Sequence, residues 1–247
     1  MIDYKDRDYI KLYNHILNQN RYIYGEEVKE ILNNIVKYFK KREDIIPLDS
    51  VLYRAQKGCD FDDDEIPVPY GHNRMLPLDK NAKEGRANPK GIPYVYLANK
   101  DYIAISEVRS WVGEMVSLGL FTNIRELKVV DFSSDKDVSL IIDTIKLHLL
   151  STNSMESTWA EINKAFSKPV SVSDNNTEYI LTQVIAELVK NQGYDGLYYN
   201  SYYSKDEGDG KNIVVFDKKL LKLRRVGIYE IKKVDIDFEE CNNPNFY

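Results

Sequence analysis

Residues 85–109 read GRANPKGIPYVYLANKDYIAISEVR and contain three kinds of segment in succession. A basic loop with Gly and Pro comes first, a run of Tyr and aliphatic residues follows, and the last part has helical spacing. Gly and Pro mark loops, Tyr and Val favour strands, and apolar residues three or four apart favour a helix. The stretch therefore predicts a loop, a strand over 94–98 and a helix over 101–114 with Asn99 or Asp101 as its N-cap.

Helices and strands are mixed irregularly on either side of this stretch. Helical spacing predicts helices over residues 7–19, 25–44 and 177–193 and a mainly helical region over 136–166. Strand composition predicts strands over residues 50–56, 125–132, 194–203 and 211–217. Gly193 follows the last helix, where a left-handed residue ends a helix well. Because no steady βαβ rhythm is present, the fold class is expected to be α+β.

Composition narrows the class of protein. The chain has 247 residues, 43% of them hydrophobic, and a formal net charge of -5, which suits one core-forming domain with an extension. The acidic balance argues against direct binding to nucleic acid or to a membrane surface, because both need clustered positive charge. The first residues, MIDYKDRDYI, are too charged for a signal peptide, and no apolar run approaches the length of a membrane span. A cytoplasmic protein is expected.

A metal site is not expected. The acidic run at residues 60–65 begins like a calcium loop, but Glu65 stands where Gly is needed and Gly71 where a bidentate Glu is needed. Cys59 and Cys241 are too far apart in sequence to suggest a zinc motif or a disulfide framework. No histidine has a neighbour at metal spacing. The histidines are His15, His72 and His148.

Two charged residues stand on apolar elements. On the predicted helix, Glu107 shares a face with Ile103, Ala104 and Trp111, where a carboxylate is costly unless it is paired or used. Arg54 lies in the predicted strand VLYRAQ and needs an acidic partner or an anionic ligand, for which its planar fork is suited. The alternatives are a glutamate at the stripe edge that reaches water and an edge-strand arginine in solvent.

Two further residues have a structural and a functional interpretation. Tyr96 alternates with Val95 and Leu97, so its strand has one aliphatic and one aromatic face, and it is either a core tyrosine or part of a binding cleft. Ser201 lies at the end of a predicted strand before a glycine-containing turn. On its own, a serine in that position is a turn residue.

Taken in order, these segments resemble the RES family, which is named for its Arg, Glu and Ser. The first segment is LYRA with Arg54, and the second is GRANPKGIPYVYLA followed by the helix that carries Glu107. The third is TQVIAELVKNQGYDGLYYNS with Ser201, closing on KNIVVFD. The resemblance covers residues 50–220 approximately. On this resemblance, residues 49–235 are expected to form the RES catalytic domain. A helical extension over 1–48 and a tail over 236–247 would flank it.

The resemblance implies a fold related to ADP-ribosyltransferase toxins and an activity on NAD+. Family members degrade NAD+ at the nicotinamide–ribose bond by hydrolysis or phosphorolysis, and some transfer ADP-ribose to a protein. Many are toxins paired with a helix-turn-helix antitoxin of the Xre type. NAD+ would be the substrate, so no cofactor is expected, and homo-oligomer formation is left open.

The resemblance also implies roles for five residues. Glu107 would stabilise positive charge on the ribose and bind its hydroxyls, and Tyr96 would frame the nicotinamide ring. Arg54 would bind the pyrophosphate or orient Glu107, and Arg86 in the Gly-Pro loop would be a second phosphate contact. Ser201 would bind the ribose or Glu107. A non-catalytic module that binds a partner through its Tyr-rich face is the alternative to an enzyme.

Overall fold

The computed structural model describes residues 7–78, 82–133, 154–168, 179–204, 210–236 and 238. The described helices are α1 (Asp8–Asn18), α2 (Glu26–Phe39), α3 (His72–Met75), α4 (Asp101–Glu107), α5 (Met155–Ser167) and α6 (Tyr179–Asn191). The described strands are β1 (Glu43–Ile46), β2 (Val51–Lys57), β3 (Asp60–Phe61), β4 (Pro67–Val68), β5 (Val95–Ala98), β6 (Met115–Asn123), β7 (Leu127–Asp131), β8 (Gly196–Asn200), β9 (Lys211–Val215) and β10 (Leu221–Glu230). Short 3-10 turns occupy Lys40–Arg42 and Lys218–Leu220.

One large mixed sheet organises the molecule. Its eight strands lie in the order β1-β7-β8-β9-β5-β2-β6-β10, while β3 and β4 form a separate hairpin. Strands β7 and β8 run parallel, and every other neighbouring pair in the large sheet is antiparallel. The predicted α+β class is therefore confirmed.

The two faces of β5 carry different side chains, as its alternation predicts. Tyr94 and Tyr96 face a core shared with α1, α2, α5 and α6, whereas the aliphatic Val95 and Leu97 belong to a separate core cluster. Helix α5 lies within the helical region predicted over 136–166, and an apolar stripe on it is buried in the first core. The stripe consists of Trp159, Ile162 and Phe166.

The N-terminal helices form where helical spacing predicts them, and they share this first core. Helix α2 ends at Phe39, five residues before the predicted end of the helix at residue 44. The chain then turns through Lys40–Arg42 into β1, which sequence reasoning missed and which pairs with β7. Pairing with the sheet edge thus overrides the helical pattern. Because β1 begins at Glu43, the sheet starts inside residues 1–48, and the division into domains stays a prediction.

Helix α4 is shorter than predicted, and its N-cap prediction was wrong. The helix ends at Glu107, and Arg109 adopts a left-handed conformation with φ 51° that stops the helical path. Trp111 is therefore off the helix, and 56% of it is exposed. The N-cap is Lys100, because the Asn99 side chain instead accepts a hydrogen bond of 2.8 Å from the Lys211 main chain.

The remaining predicted elements have mixed outcomes. Strands β2, β5, β7, β8 and β9 and helix α6 are confirmed, and Gly193 has the expected left-handed φ of 81°. Strands β6 and β10 were not predicted. Residues 136–153 of the helical region predicted over 136–166, together with His148 and Cys241, lie outside the described residues.

No described helix has the length and apolar character to cross a membrane. No group of three or more His, Cys, Asp or Glu side chains in the described part of the chain could hold a metal ion.

Candidate active site

The Gly-Arg-Ala-Asn-Pro loop is closed by the side chain of Asn88, which is only 2% exposed. Its amide nitrogen donates to the carbonyl oxygens of Lys83 at 2.9 Å, Pro89 at 3.2 Å and Ile92 at 2.9 Å. Its amide oxygen accepts a hydrogen bond of 2.7 Å from the Tyr96 hydroxyl. Asn88 therefore fixes the loop to itself and to strand β5.

The loop is also held by α6 and by the close approach of Tyr96. A Cβ atom on Gly85 would lie 2.7 Å from the Tyr96 hydroxyl, so only glycine fits there without a shift. Gln183 donates to the Gly85 carbonyl at 2.9 Å, and Thr182 donates to the Arg86 carbonyl at 2.5 Å. These contacts explain why a loop of this composition precedes β5 and position Tyr96 rigidly.

Arg86 has a structural role that sequence reasoning did not foresee. Its guanidinium donates to the Ala165 carbonyl at 2.7 Å and to the Lys168 carbonyl at 2.6 Å, at the end of α5. The last carbonyls of a helix lack intrahelical partners, so a cation there satisfies them and complements the helix dipole. Both bonds use nitrogens that a phosphate would need, so this geometry lends no support to the predicted phosphate contact.

The Glu107 carboxylate is held by two donors from distant parts of the chain. The Ser201 hydroxyl donates to Glu107 Oε1 at 2.8 Å, and the Asn212 amide donates to the same oxygen at 2.6 Å. Oε2 has no hydrogen-bond partner among the residues that the structure describes. Glu107 is exposed rather than partly dry as expected, because α4 ends at this residue and Trp111 does not cover it.

Ser201 and Asn212 are themselves fixed. Ser201 is 5% exposed, its hydroxyl accepts from the Tyr203 main chain at 3.2 Å, and its own N–H donates to the Gly210 carbonyl at 2.9 Å. Asn212 lies on β9, opposite Ala98 of β5. Sequence reasoning missed Asn212. The available signal was a polar residue at the same strand face as the buried apolar positions 214 and 216.

Arg54 extends from β2 toward Tyr96 and lacks an anionic partner. Its Nη1 donates to the Tyr96 carbonyl at 3.4 Å, a long contact, and its Nε is buried without a hydrogen-bond partner in the described structure. Burial lowers the pKa of the Arg54 guanidinium from its ordinary value, although the nearby Tyr96 opposes this shift. An arginine remains charged even so, and a half-buried cation with no ion-pair partner among the described residues favours an anionic ligand.

These side chains meet at a cavity of about 270 Å³. Burial raises the pKa of both the Tyr96 and the Tyr199 hydroxyl, so each stays neutral at physiological pH. The structure thus brings Arg54, Tyr96 and Glu107 to one cavity, with Ser201 directly behind the carboxylate, and leaves Arg86 outside its lining. The polar and aromatic lining residues are Tyr53, Arg54, Tyr96, Glu107, Tyr199 and Asn212.

Among the described residues, the fold and the site together define an α+β protein that places one carboxylate and one arginine without an ion-pair partner around an aromatic cavity. The chain belongs to the RES domain family, whose model matches residues 51–237. The family resemblance of the Arg54, Glu107 and Ser201 segments is thereby confirmed.

Other comparisons find only distant likeness. No curated protein matches the chain. A chain of the M. tuberculosis MbcT-MbcA toxin-antitoxin complex is similar at 14% identity and a TM-score of 0.45, over 79% of this chain and 92% of that one. An anti-CRISPR protein is similar at 12% identity and a TM-score of 0.28, over 74% of this chain and all of that one. The family assignment therefore rests on the sequence match.

Proposed function

We propose that this protein degrades NAD+ by cleaving the bond between nicotinamide and ribose. The observation that carries the proposal is the pairing of the fixed Glu107 carboxylate with the unpaired Arg54 guanidinium at one cavity. NAD+ offers an anionic diphosphate for the arginine and a ribose that becomes cationic for the carboxylate. Membership of the RES family supports the same assignment.

The reaction needs one well-placed carboxylate. As the bond from the ribose carbon to the nicotinamide nitrogen breaks, its electron pair leaves with nicotinamide, which departs as a neutral molecule without an acid. Positive charge develops on the ribose, as in glycoside hydrolysis, and a preorganised anion lowers the energy of that transition state. Glu107 is the only carboxylate among the described lining residues of the cavity. Its unpartnered Oε2 is available to the ribose.

The neighbouring residues would position the reactants. Ser201 and Asn212 hold Oε1, so the carboxylate does not need to reorganise during the reaction. The Tyr96 hydroxyl is engaged by Asn88 and by the Ala87 N–H at 2.9 Å, which leaves its ring rather than its hydroxyl for contact with nicotinamide. The acceptor that attacks the ribose enters from solvent, because Glu107 is exposed.

Chromatography of NAD+ incubated with the protein tests this proposal. We expect nicotinamide release by the wild type and a loss of about a hundredfold or more in Glu107→Gln, because the developing charge loses its counterion. Glu126→Gln is the control, since Glu126 is an exposed residue between β6 and β7 and should leave the rate unchanged. Absence of nicotinamide release by the wild type, with and without phosphate, would overturn the proposal.

The same incubation identifies the acceptor. Free ADP-ribose indicates water, a phosphorylated ADP-ribose that appears only in phosphate buffer indicates phosphate, and label retained on a macromolecule indicates transfer to a protein. These three outcomes separate NAD+ hydrolysis, phosphorolysis and ADP-ribosyltransfer, which the site geometry leaves equally accessible.

We further propose that the protein is the toxin of a toxin–antitoxin pair with an antitoxin of the Xre type, as RES family membership supports. Expression of the wild type should then arrest growth and lower cellular NAD+, whereas Glu107→Gln at equal abundance should do neither. If Glu107→Gln remained toxic, a non-catalytic partner-binding module would be the better description.

A further inference from the structure

A second cavity of about 510 Å³ adjoins the candidate active site. It shares Arg54 and Tyr96 with the first cavity, so these two residues stand at the boundary between them. Its far side is built by α3 and by the loop that Asn88 closes. Its lining includes Arg54, Arg74, Leu76, Lys83, Pro93 and Tyr96.

The charged side chains among the described lining residues of this second cavity are all basic. Its charged lining residues are Arg54, Arg74 and Lys83, and none of the described lining residues is acidic. This is notable in a chain whose formal net charge is -5. Outside the lining, Asp60 approaches Arg74 at 3.5 Å, in a pair whose side chains are half exposed. Such an exposed pair is weak, so it does not cancel the positive potential inside.

Arg54 is oriented for a ligand at the boundary. Its buried Nε lacks a hydrogen-bond partner in the described structure, and no carboxylate of the described residues forms an ion pair with it. A half-buried guanidinium with unused donors is suited to a phosphate or diphosphate group. An anion placed there would touch both cavities.

The first cavity is also too small for a whole dinucleotide. Its 270 Å³ lies just below the range of about 300–1,000 Å³ that is usual for sites of drug-sized ligands. NAD+ consists of two nucleosides joined by a diphosphate, and Glu107 requires the nicotinamide riboside in the first cavity. The adenosine half must therefore lie outside that cavity, and the second cavity adjoins it at Arg54.

We infer that the second cavity is the binding site for the adenosine diphosphate half of the substrate. The diphosphate lies at Arg54, the positive wall of Arg74 and Lys83 attracts it, and the purine packs on the apolar surface of Leu76 and Pro93. The inference rests on the proposed function. It also predicts that ADP, which has no nicotinamide group, binds to this protein.

Calorimetric titration of the Glu107→Gln protein with ADP and, separately, with nicotinamide mononucleotide tests the inference. This background prevents turnover. We expect ADP to bind, Arg74→Ala to weaken it about tenfold or more because a charge-assisted contact is lost, and Lys83→Ala to weaken it in the same direction. Affinity for nicotinamide mononucleotide should stay the same in both variants. Arg21→Ala, a change in the loop between α1 and α2, is the matched control.

The outcomes separate this inference from the proposed function. The second cavity is not the adenylate site if the wild type degrades NAD+ but ADP does not bind. The same conclusion follows if neither Arg74→Ala nor Lys83→Ala changes the affinity for ADP. If NAD+ is not degraded but ADP binds in a manner that depends on Arg74, the adenylate site stands and the proposed reaction fails. Lys83 is exposed, so its variant remains informative if Arg74→Ala does not fold.

Discussion

Glu107 shows how two side chains, one just after strand β8 and one on strand β9, can prepare one carboxylate for a ligand. Both donors, Ser201 and Asn212, bind the same oxygen, Oε1. Hydrogen bonds to an ionised group are stronger than neutral ones, so they fix the carboxylate although it is exposed. Oε1 is therefore anchored by the protein, and in the proposed function Oε2 contacts the substrate.

The Ser201 hydroxyl should contribute to the rate through Glu107. We expect Ser201→Ala to lower the rate of nicotinamide release roughly ten- to a hundredfold, the loss that corresponds to one hydrogen bond to a charged group. The readout is the initial rate at saturating NAD+, with circular dichroism to verify folding. Ser106→Ala is the control, because the Ser106 hydroxyl donates to the Tyr102 carbonyl within α4. An unchanged rate in Ser201→Ala would show that the anchor is dispensable.

Asn212 offers a test that depends on pH. Asn212→Asp would place a second carboxylate against Glu107, and two adjacent carboxylates tend to share a proton. We expect a lower rate at neutral pH that recovers as pH rises, because the shared proton is then lost. The acidic limb of the pH–rate profile should thus move to higher pH, whereas Asn212→Ala should lower the rate without moving it. A profile of Asn212→Asp with the wild-type shape would contradict this role.

Among the helices and strands, those with regular apolar spacing or a typical strand composition were predicted from the sequence. The buried stripe of α5 and the two faces of β5 follow from regular spacing, and both are confirmed. Strand β6, MVSLGLFTN, was missed because it is buried on both faces and so shows no alternation. Helix α4 was predicted too long because apolar spacing continues to Trp111, although the chain turns at Arg109.

The site was predictable in part for the same reason. Arg54, Glu107 and Ser201 were predicted as site residues because they occur in ordered segments of the RES family, and the structure places them at or next to one cavity. Asn212 was missed because an asparagine in a strand has no motif of its own. Arg86 was predicted to bind phosphate because the sequence does not reveal the partners that it has in the structure. These partners are the carbonyls of Ala165 and Lys168, which are distant in sequence and approach Arg86 only after folding.

The loop before β5 depends on one asparagine. We expect Asn88→Ala to lower the free energy of unfolding by about 2–3 kcal/mol, because buried carbonyl groups and the Tyr96 hydroxyl lose their partner. Urea unfolding followed by circular dichroism measures the change. Asn33→Ala on the exposed face of α2 is the control and should change stability little. Equal stability of the two variants would mean that the loop is held by its main chain alone.

At the scale of the whole molecule, an aromatic cluster joins the N-terminal helices to the sheet. The ring of Phe39 lies 6.3 Å from that of Phe132, 6.2 Å from that of Trp159 and 6.2 Å from that of Tyr194. Phe132 and Trp159 stack at 4.5 Å with an angle of 8° between their planes. Helix α2 is therefore part of the same core as α5 and the strands that carry the site.

This shared core predicts cooperative unfolding. Phe39→Ala should cost about 3–5 kcal/mol of unfolding free energy, because a fully buried aromatic ring leaves a cavity. The variant should melt in one transition at a lower temperature than the wild type. Circular dichroism at helix and at aromatic wavelengths should show this same transition, rather than separate melting of α1 and α2. Tyr22→Ala, at an exposed position in the preceding loop, is the control. Two separated transitions would indicate that the N-terminal helices fold independently.

The two tryptophans differ in a way that gives the protein an internal optical reporter. Trp159 is 2% exposed within the aromatic cluster, whereas Trp111 is 56% exposed and follows Glu107 by four positions. A soluble quencher therefore reaches the indole of Trp111 and not that of Trp159. Fluorescence of Trp111 should report on any molecule that covers the surface beyond the end of α4, while emission from Trp159 should change only when the core opens. Binding and unfolding can thus be followed in one unlabelled sample.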